Sequence, residues 1–150
     1  MSTNDALQAD PQLLCLSQFN KSVLVVDDID YMRKQISHIL RKVGITNITE
    51  ADEGGKAFQI LRAAPEVYGL VISDLDMNPT NGMHLLHILR KDNITPAPVR
   101  NIPFIMLTSD GTQKTVADIR RAGANGVVLK PFTGAILLKS TARVLSPLAS

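Results

Sequence analysis

Between residues 22 and 145 the chain alternates short, unbroken apolar runs with stretches whose apolar residues return every three or four positions. Runs of the first kind, rich in Val and Ile, fall at 23–26, 70–73, 104–107 and 126–129, and the short segment 45–50 completes the set. They predict strands, and their continuous apolarity predicts a sheet covered on both faces. Helical spacing follows each of them. Met32, Ile36, Ile39, Leu40 and Val43 line one face of a helix over 31–43 that Gly44 ends, and Ala57, Ile60 and Leu61 do the same over 55–64. Helices over 83–91, 112–122 and 133–145 complete a strict alternation of five strands with five helices. The three prolines between 92 and 103 predict a loop without regular structure. Upstream, Leu13, Leu14, Leu16 and Phe19 predict a short helix docked on the domain or on a partner. The fold class is α/β, a three-layer sandwich on a parallel sheet. Periodicity leaves the strand order open, but right-handed crossovers onto both faces require a reversal point, and a site belongs in the crevice there.

The strands share one further feature: they end on polar residues able to do chemistry. Carboxyl ends of parallel strands lie along a single edge, so Asp27, Asp28, Asp74, Thr108 and Lys130 converge although the chain separates them widely. Each like-charged pair at about 4 Å costs roughly 4 kcal/mol at an effective dielectric of 20, and Lys130 supplies one compensating charge. Either a carboxylate keeps its proton or a cation occupies the site, and the cation is the better answer. Every available ligand is a hard oxygen, with no cysteine or histidine at these strand ends, which points to Mg²⁺ or Mn²⁺ rather than zinc. A divalent cation, an ammonium and a hydroxyl around Asp74 form the equipment for phosphoryl transfer to that carboxylate. The three equatorial oxygens of the transferring group can be assigned to the metal, Lys130 and Thr108, and attack by Asp74 yields an acyl phosphate. Taken singly, Asp27 and Asp28 also suit helix capping and Asp74 a turn, but the coincidence of all five positions at strand ends favours a shared site.

Composition narrows the setting. At 150 residues, 45% of them apolar, the chain suits one domain that needs no staples. Its single cysteine, Cys15, excludes an internal disulfide framework. No apolar run is long enough to cross a bilayer, and residues 1–10, polar with Asp5 and Asp10, are unlike a signal peptide, so a cytoplasmic protein is expected. The net charge of +2 is unevenly divided: residues 1–75 hold seven Lys/Arg against ten Asp/Glu, and residues 76–150 hold nine against four. A basic second half reads as a solvated face, or as a surface for an acidic partner or nucleotide reached through Arg90, Lys91, Arg120, Arg121, Lys139 and Arg143. With 4% aromatic residues and no tryptophan, base-stacking platforms for single-stranded nucleic acid are not supported.

The order Asp27-Asp28, then Asp74 after the third strand, Thr108 after the fourth and Lys130-Pro131-Phe132 after the fifth resembles the receiver domain of bacterial two-component response regulators, the CheY-like family. The resemblance runs over 21–146 and takes in Tyr31-Met32-Arg33, Gly82 and the segment 120–132. It implies a doubly wound five-stranded parallel sheet of order 2-1-3-4-5, with an N-terminal extension over 1–20 and a tail over 147–150. It further implies Asp74 as phosphoacceptor, Asp28 and Asp74 as direct Mg²⁺ ligands, and Asp27 acting mainly through a metal-bound water. The backbone carbonyl of Asp76 completes the protein's share of that set, Thr108 and Lys130 bind phosphoryl oxygens, and the Lys130–Pro131 bond is cis. The chain departs from the family pattern in three places. Met77 is followed by Asn78, with the proline displaced to Pro79; Val127 stands where an aromatic commonly sits; and the proline-bearing loop before the fourth strand is longer than usual.

The expected function is that of a stand-alone receiver, not a conventional enzyme. It takes a phosphoryl group from a histidine kinase or histidine phosphotransfer protein and signals through protein contacts on the face formed by helix four, strand five and helix five. DNA and membrane binding are not expected, and the apolar segment 13–19 admits a homodimer. Two other readings compete. One is an interaction module that works unphosphorylated; the other is a phosphohydrolase resembling the haloacid dehalogenase type, suggested by Asp74-Leu75-Asp76 but with its acidic pair first rather than last. His84 and His87 lie three apart on helix three, and a solvated face accounts for them better than a metal site.

Overall fold

Alternate residues of the same strands form the two faces of the sheet, and each face has its own core. The computed structural model describes residues 11–91 and 93–146, without the side chains at 11, 12, 14 and 15; the expectations for residues 1–10, Leu14, Cys15 and the tail lie outside it. Strands β1 (Ser22–Val26), β2 (Ile48–Ala51), β3 (Tyr68–Asp74), β4 (Phe104–Thr108) and β5 (Gly126–Leu129) are parallel, in the order β2-β1-β3-β4-β5. Five helices connect and cover them: α1 (Asp30–Arg41), α2 (Gly54–Ala63), α3 (Gly82–Leu89), α4 (Gln113–Arg121) and α5 (Gly134–Leu145). Val23, Val25, Leu70, Ile72, Ile105, Leu107 and Val128 pack with Ile36 and Leu40 of α1 and Leu137 and Ala142 of α5. Leu24, Val26, Val71, Phe104 and Met106 pack on the opposite side with Leu61 of α2, Leu85, Leu86 and Leu89 of α3, and Ile119 of α4. Each such fully buried aliphatic side chain contributes about 1.5–3 kcal/mol.

Helix ends follow local chemistry. The side chains of Glu53, Asn81, Thr112 and Thr133 each accept from the backbone N–H three residues on, at the starts of α2, α3, α4 and α5. The exception is α1, where Ile29 occupies the N-cap position and makes no side-chain capping bond. Asp27 and Asp28 are therefore not its caps. At the other end of α1, Gly44 takes φ +91, and the N–H groups of Gly44 and Ile45 return to the carbonyls of Arg41 and Leu40. That closure explains why β2 starts only at Ile48: Ile45 is buried as part of the helix stop, not as a strand residue.

The loop before β4 corrects an expectation. Ala97–Arg100 forms a single helical turn, with Pro96 at the N-cap and Pro98 inside the first turn. Proline is no obstacle there, because first-turn N–H groups have no intrahelical acceptor to lose. Buried Val99 and a bond from Thr95 Oγ1 to the Ile88 carbonyl tie the turn to the domain. The basic-surface expectation also loses one member. Arg90 donates to the carbonyls of Arg100 (2.8 Å) and Gly123 (2.9 Å), and burial pulls its guanidinium below its ordinary pKa. Lys91, Arg120, Arg121, Lys139 and Arg143 are exposed.

Upstream, Pro11–Gln18 is a 3₁₀ helix docked on the domain itself. Leu13 and Leu16 join the core between the sheet, α1 and α5, and Phe19 packs against it.

Candidate functional site

The chain leaves β1 toward β2 on one side and returns to β3 on the other, so the reversal point lies between β1 and β3. In this topology the carboxyl ends beside that point are where a crevice belongs, and there Asp27 and Asp28 follow β1 and Asp74 ends β3. Carboxylate oxygens of Asp27, Asp28 and Asp74 all lie within 4.8 Å of one another, the one such group of three potential ligands among the described residues. Asp27 and Asp74 are buried and Asp28 is exposed. From the end of β5, Lys130 reaches across β4 and places Nζ 2.6 Å from Asp74 Oδ1. Its own backbone N–H donates to the Thr108 carbonyl at 2.8 Å, which fixes the lysine against β4.

Asp27 carries the clearest electrostatic strain. One oxygen, Oδ1, accepts from the Ile29 N–H at 2.9 Å, whereas Oδ2 is buried with no hydrogen-bond partner. Burial pushes this carboxyl up to about 6; the Ile29 N–H opposes the rise, Asp74 adds to it, Lys130 opposes it and Asp28 adds a little more. A buried, unpartnered carboxylate oxygen on a residue that meets two further carboxylates is what a divalent cation would satisfy. The donor set is all oxygen, suited to Mg²⁺ or Mn²⁺.

Thr108, at the end of β4, is fully buried, and its Oγ1 accepts from the Asp110 N–H at 3.0 Å. Asp76 is exposed on the loop after β3, and its side chain is not one of the three that meet. The Lys130–Pro131 bond is cis, and so is Asn78–Pro79 at the displaced proline. Val127, paired with Met106, is partly buried against the core on the α2–α4 side. His84 and His87 are both exposed on α3.

One polar residue beside the acids, named from the sequence only as part of Tyr31-Met32-Arg33, had no role assigned to it there. Arg33, in the first turn of α1 with its side chain 14% exposed, donates to the Asp27 carbonyl (2.7 Å), to Asp30 Oδ1 (2.8 Å) and to Glu50 Oε1 (3.0 Å). Its place six residues after Asp27 was visible, but no period predicts a bond to β2.

Residues 23–142 match the family described as the response regulator receiver domain. The chain belongs to that family. Among its relatives, the chemotaxis protein CheY-3 of Vibrio cholerae is 30% identical over 129 residues, covering 86% of this chain and 95% of the relative. The chemotaxis protein CheY of Pseudomonas aeruginosa is 31% identical over 122 residues, covering 81% and 94%. The crystal structure of the chemotaxis response regulator CheY4 of Vibrio cholerae superposes with a TM-score of 0.75 at 28% identity, over 85% of this chain and all of the other. As a CheY-like receiver domain the chain is a two-component signalling module, not a conventional enzyme. Among the described residues no helix is long and apolar enough to cross a membrane.

Proposed function

We propose that this receiver accepts a phosphoryl group on Asp74 from a phosphohistidine of a kinase or phosphotransfer protein, in a reaction that requires Mg²⁺. The observation that carries the proposal is the meeting of Asp27, Asp28 and Asp74 within 4.8 Å, with Lys130 on Asp74 and a buried Asp27 oxygen left without a partner. Asp27, Asp28 and Asp74, with the Asp76 carbonyl, would hold the cation, which when bound neutralises carboxylate charge and supports an anionic phosphoryl group. In the transfer a carboxylate oxygen of Asp74 bonds to phosphorus while the bond from phosphorus to the donor's imidazole nitrogen breaks, and that imidazole leaves as a neutral group after taking up a proton. Lys130 exchanges its bond to Asp74 Oδ1 for one to a phosphoryl oxygen, and Thr108 turns its hydroxyl from the Asp110 N–H toward another. Hydrolysis of the acyl phosphate returns the domain to its starting state.

A protein donor is supported by the rim. Of the large apolar side chains exposed among the described residues, Ile29 and Tyr31 follow β1, and Leu129 and Ile136 flank Lys130 on the chain. Output is proposed through α4, β5 and α5, whose outer surface carries Arg120, Arg121, Lys139 and Arg143. Acetyl phosphate provides the test, read by intact mass. With Mg²⁺ the wild type should gain one phosphoryl group, and neither Asp74→Asn nor the wild type in EDTA should. A wild type that gains nothing would favour an interaction module that works unphosphorylated. Continuous release of phosphate from many small phosphoesters would favour a phosphohydrolase.

A further inference from the structure

The three carboxylates that meet at the crevice repel one another, and two of them, Asp27 and Asp28, sit on the turn between β1 and α1. Within that turn the N-cap residue Ile29 contributes no side-chain bond, the Ile29 N–H donates to Asp27 Oδ1 at 2.9 Å, and the Asp27 N–H meets the Ala51 carbonyl at 3.1 Å. The side-chain support comes from Arg33. Its guanidinium uses all three nitrogens in separate directions: Nη1 to the main-chain carbonyl of Asp27, Nη2 to Asp30 and Nε to Glu50 on β2. The side chain is largely shielded from solvent, and Glu50 is itself held by Lys34 at 2.8 Å. Burial raises the Glu50 carboxyl, but its bonds to Lys34 and Arg33 bring it below its ordinary value, so it is an ionised anchor at neutral pH.

We infer that Arg33 is a positioning residue for the cation site: it ties the acid-bearing turn to β2, and so sets the separation at which Asp27 and Asp28 face Asp74. The inference rests on the proposed Mg²⁺-dependent phosphoryl acceptance at that site. Its physical basis is that a planar guanidinium can hold a carbonyl and two carboxylates at once in fixed directions, which an ammonium on a flexible stem does not do. The charges of Arg33 and Lys34 are balanced by Asp30 and Glu50, so the group's effect on a cation should be geometric and not a matter of net field.

That difference gives the experiment its sign. If Arg33 acted only as a positive charge near the acids, Arg33→Gln should tighten Mg²⁺ binding and Arg33→Lys should leave it unchanged. If it positions the turn, both should weaken binding, by about tenfold as is typical when a residue that orients metal ligands is lost. Isothermal titration of the unphosphorylated chain with Mg²⁺ reads this directly, with thermal unfolding in EDTA to identify a variant that fails to fold. Glu50→Gln, which leaves Arg33 in place but weakens its anchor, should fall between the wild type and Arg33→Lys. Under acetyl phosphate, the rate for Arg33→Lys should approach wild type as Mg²⁺ is raised to saturation. A folded Arg33→Lys that binds Mg²⁺ like the wild type, or an Arg33→Gln that binds it more tightly, would overturn the inference while leaving the proposed function intact. A wild type that binds no Mg²⁺ would overturn both.

Discussion

Asp27 is buried with one oxygen satisfied and the other without a partner, so its charge is a cost that the metal-free domain carries. Its folded pKa of about 6 lies above the roughly 3.9 of an unfolded aspartate. Below the unfolded value both states hold the proton and no penalty exists. Stability is lost as pH rises between these values, because the folded state must then give up a proton that the unfolded state has already released. In EDTA, Asp27→Asn should therefore match wild type near pH 4 and exceed it at pH 7, by on the order of 3 kcal/mol. Urea unfolding at the two pH values checks this. If the domain holds the cation as proposed, millimolar Mg²⁺ should reverse the order at pH 7, since binding to the folded state would stabilise wild type and Asn would remove one of the three carboxylates proposed to hold it. The acids themselves were legible as strand-end residues, because residue type and position at a strand's carboxyl end are local facts. The contacts of Arg33 were not, since its bond to Glu50 depends on β2 lying beside β1.

At the scale of elements, α3 starts against the site. Gly82 donates its N–H to the Leu75 carbonyl at 3.0 Å, and a Cβ there would collide with the Asp74 carbonyl and lie 2.7 Å from Met106 Sδ. Gly82→Ala should destabilise the domain by about 1–3 kcal/mol despite alanine's better helix propensity. It should also slow the proposed phosphorylation of Asp74, whose backbone must shift to make room. Gly134→Ala, at the first residue of α5, is the internal control. Its nearest neighbours, on Ile39, begin at 3.6 Å, so its unfolding midpoint should stay level or rise. All five strands and the five covering helices could be read from period and composition. The turn Ala97–Arg100 could not, because proline's incompatibility with helix interiors hides its tolerance in a first turn.

Across the whole molecule, the 3₁₀ helix at Pro11–Gln18 is part of the core on the α1 and α5 side. Leu16 is fully buried among residues that include Leu13, Val43 and Leu137. Leu16→Ala should cost about 2–5 kcal/mol in urea unfolding, whereas Gln18→Ala, at an exposed position, should change little. Apolar spacing raised two destinations for this segment, the domain or a partner, and could not choose between them. The chain's linear order establishes the alternation of strand and helix, the two-faced cores and the chemistry at each strand end, since all of these arise from periods of two to four residues. Folding in three dimensions sets the rest: which strands become neighbours, how far Lys130 reaches to meet Asp74, how Arg33 meets Glu50 and where Leu16 docks. Those relations join residues far apart along the chain, and no short-range repeat can encode a distance that exists only once the strands have paired.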